Sequence, residues 1–256
     1  MIEIPIVAII VGVLTIGVRL SGLMLFAPFF GSAVIPARIK AILVLALTFL
    51  LYPVIGKDIA LTSLAQWPWM IFTEFLIGAG IGIATNMVFE AAQLAGQILG
   101  VQMGYSLVNI LDPQTQVDTP VIAVFYQCIV MLLFLQMDVH YWLLFSVGNS
   151  YRYMPPGSAH IGALFTLAVL KIAGQIFALG VQIAAPVLAA TLAADVTLGL
   201  LGKASPQMPL MILGPPVKSL LGIFILFTTL RYWPDLFRRL FLGAVSNSEH
   251  LFHLAS

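Results

Sequence analysis

Charge is what this chain has least of. Of its 256 residues only 8% are Asp, Glu, Lys or Arg, while 61% are hydrophobic, and the mean hydropathy is +1.07. A soluble domain is about a quarter charged. So few charges cannot build a water-soluble surface, so the chain reads as an integral membrane protein or a subunit of a hydrophobic complex. The net charge of +1 gives neither nucleic acid nor an acidic partner a basic surface to bind. A single cysteine, Cys128, excludes an internal disulfide and a thiolate metal cluster; lying in an apolar run, it is expected to be a buried thiol. The N-terminus, MIEIPIVAIIVGVLTIGVRL, has no basic n-region. Its apolar run outlasts a signal h-region, so it is read as a retained membrane segment.

Other absences narrow the chemistry. No G-x-S-x-G or H-E-x-x-H occurs, and the GLLGKAS stretch fails as a phosphate loop: Thr197 stands where the first glycine belongs and Ala204 replaces the hydroxyl residue. His250 with His253, and Asp138 with His140, make no credible metal site. The chain is therefore read as no enzyme, without cofactor or metal. No fixed-period repeat, linker or low-complexity tract interrupts it, so residues 1–256 are expected to form one domain.

What is present is a series of apolar runs near residues 4–30, 39–56, 68–89, 120–148, 160–201 and 207–233. Spanning segments take about 17–25 residues, and the alternation of a β-barrel is absent, so all six are expected to be helical. Pro120 suits a first helical position with Thr119 as its cap. Two runs are too long for one crossing. A helix from Pro68 to Gly104 would extend about 55 Å, and one from His160 to Leu201 about 60 Å, at about 1.5 Å per residue. Such helices either fold back as hairpins or project beyond the bilayer. Gly214, Pro215 and Pro216 are expected to bend or break the last run. Leu236, Phe237, Leu240 and Phe241 alternate with charges in a short amphipathic segment, 234–243, of interfacial type.

Three sets of residues are candidates for function. Gly96, Gly100 and Gly104 recur every four residues and form a ridge that lets another backbone come close. Glu90, Gln93 and Gln97 make a polar stripe beside it, which must face protein or a watery cavity. The ridge and stripe serve either internal helix packing or an intersubunit or pore-lining face. Arg19, Glu74, Lys171, Asp195 and Lys218 are ionisable groups inside apolar runs; Asp195 and Lys218 are candidates for a pair, structural or on a conduction path. The third set is the stretch GYSLVNILDPQTQVDTP. Asp112-Pro113 and Thr119-Pro120 mark it as a loop, yet Leu107, Val108, Ile110, Leu111 and Val117 are too apolar for a solvated one.

These stretches together resemble the FliR family of type III export-gate proteins nearly end to end. The resemblance is carried by APFFGSAVIPARIKAILVLALTFLLYP, AGQILGVQMGYSLVNILDPQTQVDTPVIAVF and AAPVLAATLAADVTLGLLGKASPQMPLMILGPPVKSLLG. Pro209 departs from the Asn often found after PQM in flagellar members. The resemblance implies a subunit of an all-helical export gate, assembled as a spiral of helical hairpins with FliP-type and FliQ-type hydrophobic subunits and served by a FlhB-type switch protein. It further implies the bacterial inner membrane and flagellar basal body as location, with part of the complex beyond the bilayer plane, and unfolded exported proteins as substrates. It also implies that loop 105–119 plugs the closed channel. Leu107, Val108, Ile110, Leu111 and Val117 would seal it, Asn109, Asp112 and Asp118 would hold it by breakable hydrogen bonds, and Tyr105, Ser106 and Pro113 complete it. A buried connector, a secondary transporter of a small solute and an assembly subunit without a pore are the alternatives.

Overall fold

The structure, a computed structural model, describes residues 3–32, 34–55, 67–105, 120–156, 163–205, 207 and 210–255. Every regular element among them is helical: α1 Glu3–Phe26, α2 Ala37–Ile55, α3 Trp67–Gln102, α4 Val121–Gln136, α5 Val139–Tyr153, α6 Ala163–Ala204 and α7 Leu210–Thr229. A 3-10 turn, Leu230–Tyr232, leads into α8 Trp233–Ala255. Helices are the solution that apolar surroundings impose, because each segment satisfies its own backbone. Among the described residues five helical stretches are long and apolar enough to cross a membrane, or six if the bent pair α4 and α5 counts as one span. Residues 106–119, which hold most of the expected plug, lie outside the described residues.

The two overlong runs are each one helix. α3 has 36 residues and α6 has 42, or about 54 and 63 Å at about 1.5 Å per residue, against a hydrocarbon core of about 30 Å. α6 carries Pro186 inside it.

Three expectations are corrected. The 120–148 run is split: the chain turns by 63° between α4 and α5 at Asp138, whose φ of 57° is left-handed. Asp tolerates that conformation better than most residues, and an apolar run carries no mark of it. Conversely, of the bend or break expected at Gly214, Pro215 and Pro216, the break does not occur: α7 is one helix through both prolines. The pair sits only about one turn beyond the amides that lack intrahelical acceptors anyway, so few ladder bonds are lost. Cys128 is exposed on α4, since apolar composition does not separate a lipid-facing position from a core one.

The chain divides into two compact units. The first comprises Met1–Met87, Phe134–Ala173 and Leu240–Ser256; the second comprises Val88–Leu133 and Gly174–Arg239. In the first, Ile16, Leu20, Leu23, Ile81, Leu143 and Val147 are fully buried, and α1 meets α3 backbone to backbone. A Cβ on Gly78 would strike the Arg19 carbonyl oxygen, one on Gly22 would strike the Phe75 carbonyl oxygen, and one on Gly82 would lie 2.8 Å from the Ala27 nitrogen. In the second unit, Val88, Ala91, Ala95, Leu99 and Ala123 form the close-packed interior, and Tyr126 packs tilted against Trp233 with ring centroids 4.6 Å apart. The 234–243 stretch forms part of α8. Its Phe237 and Phe241 are buried, so that apolar stripe is taken up by protein contacts, Phe241 meeting Phe134 edge to face.

Arg19 ties the first unit together. Its side chain has no solvent exposure. Nε donates to Glu74 Oε2 at 2.7 Å, Nη1 to Ser150 Oγ at 2.8 Å and Nη2 to the Met154 carbonyl at 3.2 Å. The guanidinium carbon lies 3.8 Å from the Tyr151 ring centroid. One side chain from α1 thus holds α3, α5 and the turn after α5. Arg19→Met removes the cation that compensates the Glu74 carboxylate, and breaking a buried pair this way costs about 3–5 kcal/mol. Thermal unfolding of the purified protein should fall sharply for this variant and recover in large part when Glu74→Leu is added.

Candidate functional site

The end of α3 is built to stop sharply. Gly104 has φ +90°, a conformation that glycine adopts without steric cost. Its amide donates to the Val101 carbonyl at 3.1 Å, and the Tyr105 amide donates to the Gly100 carbonyl at 2.9 Å. That crossed pair is a Schellman cap, which satisfies carbonyls a helix end otherwise leaves open. Packing makes the same glycine necessary, for a Cβ there would sit 2.9 Å from Pro215 Cβ on α7.

Side chains then fasten this end to two other helices. Gln102 Nε2 donates to Asp195 Oδ2 at 2.7 Å, and Lys218 Nζ lies 2.9 Å from Asp195 Oδ1. The Tyr105 and Ser219 hydroxyls are hydrogen-bonded at 2.8 Å. Asp195 belongs to α6 and Lys218 and Ser219 to α7, so α3, α6 and α7 share one polar knot. Asp195 is 41% exposed, so its ion pair with Lys218 is partly screened and modest in strength.

The far end of the 106–119 segment returns to the same place. The Pro120 carbonyl accepts from the amides of Ala123 at 2.8 Å and Val124 at 3.3 Å and so begins α4. A Cβ on Gly100 would lie 2.7 Å from Pro120 Cβ, and one on Gly96 would overlap the Ala123 backbone. The chain therefore leaves α3 at Tyr105 and re-enters α4 at Pro120 against the last turns of α3.

The other sequence candidates find their places around this knot or in the first unit. The glycine ridge faces this chain's own residues: Gly96 and Gly100 meet the start of α4, and Gly104 meets α7. Within the polar stripe, Gln93 accepts from Gln127 Nε2 of α4 at 2.7 Å, Gln97 is half-buried and Glu90 is exposed. Of the intramembrane charges, Arg19 pairs with Glu74 and Asp195 with Lys218, while Lys171 is exposed on α6. Tyr105 is in the knot; Ser106, Leu107, Val108, Asn109, Ile110, Leu111, Asp112, Pro113, Val117 and Asp118 lie outside the described residues.

Sequence reasoning missed Gln102, Gln127 and Ser219 as partners, and Gly78, Gly82, Gly180 and Gly222 as contact points. A Cβ on Gly180 would come within 3.1 Å of the Ala91 carbonyl oxygen, and one on Gly222 within 2.7 Å of Met103 Cε. Gly78 and Gly82 had a signal, a four-residue spacing inside an apolar run. The isolated glycines carried a fainter one: glycine costs a helix interior about 1 kcal/mol against alanine, and so implies a packing reason.

A profile of the family described as bacterial export proteins, family 1, matches residues 10–244. The chain is 29% identical over 209 residues to the flagellar biosynthetic protein FliR of Escherichia coli strain K12, covering 81% of this chain and 80% of the relative. It is 29% identical over 224 residues to that of Pectobacterium carotovorum, covering 88% and 86%. For Bacillus subtilis strain 168 the identity is 26% over 244 residues, covering 94% of each.

The close approaches make a paired prediction. Gly96→Ala forces α4 off α3, and overpacking of this kind costs about 1–3 kcal/mol. Gly80, in the same helix, has open space where its Cβ would go, so Gly80→Ala gains about 0.5–1 kcal/mol of helix stability. Melting temperatures of the two variants should move in opposite directions.

Proposed function

The chain belongs to the bacterial export proteins, family 1, and from that membership we propose that it serves as a helical subunit of the flagellar protein export gate. It works in the cell membrane with other small hydrophobic subunits of FliP and FliQ type and a FlhB-type switch protein, contributing to a channel for unfolded substrates. Its role is conduction and closure, not catalysis. Helices of 36 and 42 residues exceed the depth of a bilayer and support an assembly that stands partly out of the membrane plane.

The carrying observation is the placement of the residues that flank 106–119. Tyr105 and Pro120 sit on one packed platform, made of the last turns of α3, the start of α4 and the polar residues of α6 and α7. A plug needs that arrangement: fixed roots confine any motion to the segment itself. Its sealing groups, Leu107, Val108, Ile110, Leu111 and Val117, are apolar enough to fill a protein-lined constriction. Its polar groups, Asn109, Asp112 and Asp118, would contribute hydrogen bonds of about 0.5–1.5 kcal/mol each, weak enough to exchange during opening.

Deleting residues 107–111 should leave the packed helices and the assembled complex intact and raise passive ion leakage through the membrane. Tyr105→Phe removes one root hydrogen bond of about 1 kcal/mol and should raise leakage in the same direction, more mildly. Membrane conductance of cells expressing the full gate, with co-purification of the partner subunits as the assembly control, reads both. Wild-type conductance in an assembled deletion complex would return the segment to a plain connector.

A further inference from the structure

The first unit holds a cavity of about 1300 Å³ between the second half of α2, α5 and residues 242–246 of α8. Small-molecule sites are roughly 300–1,000 Å³, so it is roomy for a metabolite. Its walls are chiefly hydrocarbon and aromatic, including Leu47, Leu51, Leu144 and Phe145. Among the described residues that line it, Arg152 is the one charged group and there is no carboxylate. α2, which forms one wall, is little covered by protein away from the groove as well: Ile42 is 66% and Phe49 64% exposed, and neither lines the groove. A helix face so apolar and so little covered by this chain suits acyl chains, and it borders the cavity.

We propose that this groove binds a phospholipid with an anionic headgroup, its acyl chains against α2 and α5 and its phosphate on Arg152. A hydrated small anion would have to give up its water shell to leucine and phenylalanine, whereas an amphiphile matches both parts of the lining. Arg152 lies in the last turn of α5, where its planar guanidinium offers a phosphate two parallel hydrogen bonds. Basic pockets between membrane helices take anionic headgroups in this way. The neighbouring Tyr153, 45% exposed, is of the residue type that gathers at the headgroup level. Gly148 is also in the lining, and a Cβ there would have no atom within 4 Å. A substituted Cβ at that position therefore meets open space at the groove wall.

The test uses the full chain purified with its partner subunits and exposed to dioleoyl phosphatidylglycerol or dioleoyl phosphatidylcholine, with retained lipid counted by native mass spectrometry. Wild type should retain the anionic lipid in preference. Arg152→Gln should cut that preference about fivefold, the equivalent of about 1 kcal/mol for one basic residue at a membrane surface, and leave the zwitterionic lipid unchanged. Arg152→Lys should keep most of it, and Gly148→Leu should lower retention of both lipids. Should Gly148→Leu fail to assemble, the Arg152 pair decides alone. Equal retention of the two lipids by wild type, an anionic preference that Arg152→Gln does not touch, or a partner subunit's side chains filling the groove in the assembled complex would each overturn the proposal.

Discussion

A helix surrounded by lipid gains little by exchanging acyl chains for leucine, so what holds such helices together must be shape and polar bonding. Each of the two units meets that constraint with the same pair of devices. In the first, Gly22 and Gly78 bring the backbones of α1 and α3 into contact, and the Arg19–Glu74 pair lies on the same faces. The coincidence is geometric: Glu74 and Gly78 are four apart on α3 and Arg19 and Gly22 three apart on α1, spacings that put each pair on one side of its helix. In the second, Gly96, Gly100 and Gly180 supply the close approaches, and Gln93–Gln127 and Gln102–Asp195–Lys218 the polar bonds.

The two polar sets differ in solvent exposure, and that difference suits different tasks. Arg19 is sealed from solvent, uses all its guanidinium nitrogens and stacks on Tyr151. Desolvating such a pair offsets much of its attraction, so its value lies in fixing which helices meet and in what register. The knot at the end of α3 is half-exposed and made of single hydrogen bonds. Each of those contacts contributes little by itself, so the close packing at Gly100 and Gly104 carries much of the attachment of this end.

Much of this was legible in the residues. Long apolar runs with few charges dictate helices in a membrane, the glycine spacing at 96, 100 and 104 marks a close approach, and Asp195 with Lys218 stood out as ions in an apolar setting. The turn at Asp138 was not legible, because an apolar run reads alike whether it is one helix or two. Nor was the exposure of Cys128, since hydropathy is the same for a residue facing lipid and one facing protein.

Local chemistry depends on near neighbours, and the sequence by itself therefore determined the helical class, the overlong α3 and α6, the family resemblance and the glycine spacing at the end of α3. Which polar groups meet was decided only by the tertiary structure. Arg19 and Ser150 are 131 residues apart and Tyr105 and Ser219 are 114, and no local pattern encodes a partner at that distance. Each helix offers a set of groups able to bond; the packing of backbones at small residues selects the few that come within reach.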